Sequence, residues 1–598
     1  MTASTSLHQP TDAPMFARTC FCCVLLCSVA LSQTSENAAD QKFYDLLAEE
    51  WENRMRESPL WATRTGDHRF NDQLPKISIA DMDRRVATSR KFLASSEAIP
   101  NDGLSKKAKL DKQLFERQTK QGLESYKFKE FLIPITNRSG FHIDFPDTRL
   151  TSPLNTTTDY ENFIARMRQF KTYAEQHMAM MREGIEQGLT LPAVVLQGYA
   201  EPIESQIVTD PEKSLLFEPF QEISKNVPEA EHARLREESK TAIKDSVVPG
   251  YQAFLDFMRE EYVPSCRGSV GASAMPNGRA YYRFCVKKFT TLPLTPEEVH
   301  NTGLAEVERI RGEMDEIRKR VKFDGDFPAF LDHLRTDKKY YAQSKEELLK
   351  ETALVLKRMD GLLPELFKTL PRTPYGIREV PEYIAPQTTA AYYMVAAGDG
   401  SKAGFYYVNT YNLASRPLYS VQALSQHEAV PGHHLQLALQ QEMKDTPEFR
   451  KFARFTAYVE GWALYAERLG LEVGFYEDPY DDFGRLTYEI WRACRLVVDT
   501  GIHYFGWTRQ RAIKFMEENS GLSKHNIRAE VDRYIAWPGQ ALGYKIGELK
   551  IRELRARAEK EMGDRFDIRE FHDVVLRQGA VPLDILEGYV EDYIRSAK

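Results

Sequence analysis

The segment His427-Glu428-Ala429-Val430-Pro431-Gly432-His433-His434 brings three of the chain's 13 histidines and a carboxylate into one short stretch. Two imidazoles on one helix face with a Glu beside the first make an H-E-x-x-H arrangement, in which the histidines hold zinc and the Glu activates a water for hydrolysis. His427 and His433 are the candidate ligands here, and Glu428 the candidate base. The spacing does not suit a regular helix. Pro431 stands where the second ligand should be, and His433 comes two residues later, turned about 120° from the required face and displaced about 9 Å along the axis. Proline cannot donate the helical hydrogen bond and glycine tolerates unusual backbone angles, so a two-residue bulge at Val430-Pro431-Gly432 is expected to return His433 to the metal side. His434 remains open as the alternative second ligand.

A second carboxylate stands out because it is the only charge in Phe455–Ala466. A helix that is apolar all round is buried, and a buried carboxylate needs a cation, a donor network or a metal. For Glu460 the open readings are a metal ligand or a salt bridge to a buried arginine. Glu467, two turns on, could orient a metal-bound histidine through its free ring nitrogen. Asp499 and His503 are four apart and share a helix face. They read as a structural pair, as a metal pair, or as the opposite wall of a cleft, with His503 donating to a substrate carbonyl and Asp499 orienting it. Arg492 and Arg495 could hold a peptide carboxylate or make structural salt bridges.

Helices must position these groups. From about Gln41 onward, apolar residues recur at three- and four-residue spacing with Glu and Lys between them. Thr295-Pro296-Glu297-Glu298 combines a hydroxyl cap, an initial proline and a capping-box Glu, and Ser344-Lys345-Glu346-Glu347 repeats the box. Thr446-Pro447 reads as the start of a helix that Gly470 closes. One segment differs: Ala391–Val395 and Phe405–Val408 are aromatic and β-branched runs around a turn-rich stretch, so a β-hairpin is expected just before the histidine motif, either structural or offering an edge strand to an extended peptide. No repeat or long linker interrupts residues 33–598, which read as one unit with lobes at about 33–290 and 291–598.

Arg18 followed by the apolar run Cys20–Ala30 and a polar stretch has the form of a secretory leader, residues 1–32, with translation from Met15 giving the more compact version. No cysteine follows the small residues as a lipid anchor would require. The expected location is therefore exported, periplasmic or extracellular. Four of the seven cysteines lie in the leader, so there is no disulfide framework, and whether Cys266 and Cys285 pair stays open. Basic and acidic residues, 80 and 87, are mixed without a basic run, which argues against nucleic acid as a partner. No apolar stretch of the length that spans a bilayer is present.

The motif together with Tyr458-Val459-Glu460-Gly461-Trp462-Ala463-Leu464-Tyr465-Ala466-Glu467 resembles the domain-of-unknown-function 885 family, over most of the chain beyond the leader. Tyr281–Thr291, Val498–His503 and Trp537–Lys545 carry the same resemblance. That family is similar to helical zinc peptidases such as thimet oligopeptidase, the oligoendopeptidases and angiotensin-converting enzyme. The resemblance implies a mainly α, large two-lobed zincin-like fold with a deep cleft and a small β-hairpin or sheet beside the active site. It implies Zn²⁺ on His427, His433 and Glu460, the last in a Val-Glu context 27 residues beyond His433, and Tyr544 as an oxyanion donor alongside His503. The implied activity is zinc-dependent hydrolysis of short peptides, of oligopeptidase or carboxypeptidase type. The alternatives are a non-catalytic exported metal- or peptide-binding protein and a zinc amidohydrolase of cell-wall peptides.

Overall fold

The longest fully buried element decides the architecture. In a computed structural model describing residues 37–597, apart from 137, 383, 387, 398, 399 and 401, the helix Pro479–His503 is buried at every position from Phe483 to His503. A helix covered on all sides must lie at the centre, with its polar groups satisfied by neighbours. Asp478 caps it by accepting from the Tyr480 N–H, and Pro479 opens it. The helix Pro296–Arg320 packs along it. The leader expected at residues 1–32 lies outside the described residues.

The molecule is mainly helical with one three-stranded sheet. The capping signals form as expected at Thr295, where Oγ1 accepts from the Glu298 N–H at 3.2 Å and Glu298 accepts from the Thr295 N–H at 2.8 Å. At Ser344 only half the box closes: its hydroxyl accepts from the Glu347 N–H, but Glu347 accepts from the Gln343 N–H instead. The single helix expected from Thr446 to Gly470 is two. Glu448–Lys451 ends after one turn, and Thr456–Leu469 starts afresh. The amide of Gln440 donates to the carbonyls of Arg450 and Ala453, both at 2.8 Å, and so takes acceptors that a continuous ladder would need.

The expected hairpin is present as β2 (Ala391–Met394) and β3 (Gly404–Val408), antiparallel with Tyr393 opposite Tyr406. A third strand, β1 (Tyr375–Glu379), pairs parallel with β3, which gives the order β1-β3-β2 and leaves β2 at the edge. Two large apolar cores share the chain. One gathers Phe170, Phe254 and Ile490, the other Phe115, Trp462 and Val575, and each takes residues from both sides of position 290. Cys266, Cys285 and Cys494 are free thiols. Among the described residues no helix is long and apolar enough to cross a membrane.

Candidate metal centre

The chain breaks where the two-residue bulge was expected, and more completely. The helix Val421–Glu428 stops, and a second, His433–Gln441, begins after a break of four residues. The Val430–Pro431 bond is cis. The turn doubles back so closely over the first helix that a Cβ on residue 432 would lie 2.0 Å from the His427 carbonyl oxygen, so only glycine fits. The His434 N–H then donates to the Ala429 carbonyl at 3.0 Å, and the indole of Trp462 donates to the Pro431 carbonyl at 2.9 Å. Trp462 sits two residues beyond Glu460. The helix that carries the buried carboxylate therefore also clamps the turn that delivers His433.

The result is convergence. His427, His433 and Glu460 present ligand atoms that all lie within 4.8 Å of one another. Glu460 Oε2 stands 3.4 Å from His433 Nε2 and 3.6 Å from His427 Nε2, and has no hydrogen-bond partner though buried. Tetrahedral zinc with bonds of about 2.0–2.1 Å needs ligand atoms about 3.3–3.5 Å apart. Glu467 accepts from His427 Nδ1 at 2.8 Å, which turns Nε2 toward the cluster. Burial works against charge on both groups, but at Glu460 it is outweighed by the imidazoles of His433 and His427, which hold the carboxyl well below the usual carboxylate range, and at His427 by the carboxylates of Glu460 and Glu467, which raise the imidazole to about 9. A donor set of two imidazoles and one carboxylate, oriented from behind, fits a zinc ion.

His434 takes no part in the cluster. Its Nδ1 hydrogen-bonds with the Tyr393 hydroxyl at 2.8 Å and its ring packs 4.5 Å from Tyr375, so it fastens the sheet to the helix behind the site. Glu428 lines a cavity of about 430 Å³ with the three cluster residues and makes no hydrogen bond or ion pair among the described residues. Tyr544 lines the same cavity, its ring 6.4 Å from that of His427. It is brought there by the contact of the helices Thr456–Leu469 and Gly543–Met562, where a Cβ on Gly461 would lie 2.5 Å from Gly547 Cα.

The expectation for His503 is corrected. It does not reach the cavity: Nδ1 accepts from the Ala272 N–H and Nε2 donates to the Tyr534 carbonyl, each at 2.9 Å. Asp499 does not orient it either, being held by the Tyr282 hydroxyl at 2.6 Å and the Gly539 N–H. Both belong to the buried face of the central helix.

The model of the bacterial proteins of unknown function called DUF885 matches residues 59–590. The chain belongs to this family. It is similar in structure to a Colwellia psychrerythraea protein named as a candidate lipoprotein, at 29% identity and a TM-score of 0.89, over 94% of this chain and 100% of that one. A Shewanella oneidensis protein, named as a candidate lipoprotein of unknown function, shares the fold at 18% identity and a TM-score of 0.68, over 91% and 99% of the two chains. No curated protein matches. In this DUF885 chain the cavity also has a feature that the sequence did not single out: Arg138, Arg454 and Arg533 join Arg492 and Arg495 on its wall. Arg138 lies far along the chain from the rest, and Arg454 and Arg533 stand on segments separate from the central helix, so no local spacing could have grouped them.

Proposed function

We propose that this protein is an exported zinc peptidase that hydrolyses short peptides in a cleft of a zincin-like, two-lobed helical fold. The observation that carries this reading is the meeting of His427, His433 and Glu460 in a cavity where Glu428 makes no hydrogen bond or ion pair among the described residues. A zinc ion held there would supply Lewis acidity to a carbonyl oxygen. Glu428 accepts the proton of the attacking water on a carboxylate oxygen and delivers it to the leaving amine. The Tyr544 hydroxyl donates to the carbonyl oxygen as it gains charge. Glu467 holds His427 in one tautomer throughout. The edge strand β2, whose Tyr392 and Tyr393 line the cavity, offers backbone groups to an extended substrate.

The test is metal analysis and peptide cleavage on the same preparation, with peptides in free, amino-blocked and carboxyl-blocked forms. Near-stoichiometric zinc, lost in Glu460→Ala, and chelator-sensitive cleavage are expected. Zinc without cleavage in any form would leave a metal- or peptide-binding protein. Cleavage confined to cell-wall peptide amides would leave the amidohydrolase.

A further inference from the structure

Beside the metal cluster, one buried carboxylate serves three guanidinium groups. Glu530, fully buried, accepts from Arg138 Nη1 at 3.3 Å, Arg495 Nη2 at 3.0 Å and Arg533 Nη1 at 3.1 Å. None of these arginines has another ion-pair partner among the described residues. Two positive charges are thus left over on a cavity wall, in a chain whose formal net charge is −7. Arg495 is 2% exposed and its Nη1 has no hydrogen-bond partner. A desolvated guanidinium N–H without an acceptor is costly unless an acceptor arrives. Arg492 is different, because its Nη2 lies 3.5 Å from Glu467 and it belongs to the support of His427.

We propose that Arg138, Arg495 and Arg533 bind a carboxylate of the substrate close to the bond that is cut. This deepens the peptidase reading and rests on it. The spacing sets the reach. The Arg495 guanidinium lies 4.2 Å from the Tyr544 ring, which lies 6.4 Å from the His427 ring. These distances put the guanidinium at most about 11 Å from the His427 ring, and with about 3 Å of that taken by the hydrogen bond to the guanidinium, extended residues of about 3.3–3.6 Å leave room for one or two. A carboxyl-terminal carboxylate on this wall makes the enzyme release single residues or dipeptides from the carboxyl end. A carboxylate on a side chain makes it cut beside Asp or Glu.

Four versions of one peptide distinguish these sources: free acid and amide termini, each with Glu or Gln near the cut. The relevant charged version should be cleaved about 10- to 100-fold better than its neutral twin, the range expected of charge-assisted hydrogen bonds. Arg138→Gln and Arg533→Gln should bring that ratio toward one, with melting temperature checked in each. Arg138 comes from a loop at the rim and is the safer variant for folding. Binding of the same four peptides to zinc-free Glu428→Gln protein, followed by calorimetry, gives a readout independent of turnover. The same charged preference there supports the proposal even if no peptide is ever cleaved, which separates it from the peptidase reading. Equal cleavage and equal binding of all four versions would overturn it. So would a preference abolished by Arg454→Gln but untouched by Arg138→Gln and Arg533→Gln, since Arg454 stands apart from the Glu530 group.

Discussion

Two buried ion clusters lie on either side of the start of the Gly543–Met562 helix, and they are built to opposite rules. Lys545, fully buried, donates to Glu489 at 2.8 Å and Glu548 at 2.9 Å and pairs with Glu306 at 3.0 Å. Arg309, Arg485 and Arg552 close the same network, and no buried side-chain nitrogen or oxygen of these residues lacks a partner. Around Tyr544, one residue earlier, Glu460 Oε2, Glu467 Oε2, His433 Nδ1, Arg492 Nε and Arg495 Nη1 are all buried without one. A saturated network fixes helices in place, whereas unmet hydrogen-bonding capacity in a cavity is capacity for something that binds.

The comparison is broken most directly by exchanging the expected outcomes. Glu428→Gln should lower turnover by about 10²–10⁴, the scale of a lost general base, with zinc content and melting temperature unchanged. Lys545→Met should do the reverse, removing about 3–5 kcal/mol of stability by taking away the one buried ammonium that Glu306, Glu489 and Glu548 share, while surviving folded protein still takes up zinc. Denaturant titration and metal analysis on both variants decide this. A stable Lys545→Met protein with impaired zinc uptake would erase the distinction between the clusters.

Smaller effects sharpen it. Tyr544→Phe should slow cleavage by about 10²–10³ at unchanged zinc affinity, and unchanged turnover would remove this hydroxyl from the chemistry. Glu467→Gln should weaken zinc by about 10- to 100-fold, since the partner behind His427 then no longer accepts with a full charge. A competitive chelator titration measures this, and affinity equal to the parent would reduce Glu467 to packing.

What could be read from sequence depended on how local each determinant is. The Val430-Pro431-Gly432 interruption, the Thr295 cap and the β2–β3 aromatics act within a few residues, and each appears where its chemistry requires. The sequence placed Asp499 and His503 on one helix face but could not say which way that face points, because the central helix is buried all round. The Thr446–Gly470 break depends on a side chain, Gln440, from the preceding helix. Strand β1 has no apolar run of its own and exists through parallel pairing with β3. The arginine wall is tertiary in the same way.

The smallest expected effect concerns the misassigned pair and separates its two members by sign. Burial pushes the His503 imidazole down to about 3 from 6.5. Its folded value is the lower one, so its contribution to stability is fully present above about pH 6.5 and is lost as the pH falls toward 3. Burial pushes the Asp499 carboxyl up to about 7 from 3.8, against the hydrogen bonds from Tyr282 and Gly539. Its folded value is the higher one, so its contribution is fully present below about pH 3.8 and is lost as the pH rises through 7. Between about pH 4 and 6.5 the two oppose each other, each worth at most about 1.4 kcal/mol per pH unit. Asp499→Asn keeps the shape and removes one side of the opposition, so its melting temperature should fall more steeply on acidification than the parent's. His503→Gln should fall less steeply. The other buried histidines whose imidazoles burial pushes down, His142, His177, His434 and His572, are present in all three proteins and cancel in the comparison. Parallel melting-temperature profiles for parent and both variants would show that neither group changes its proton binding on folding, and would reopen the question of whether this face is as dry as its packing indicates.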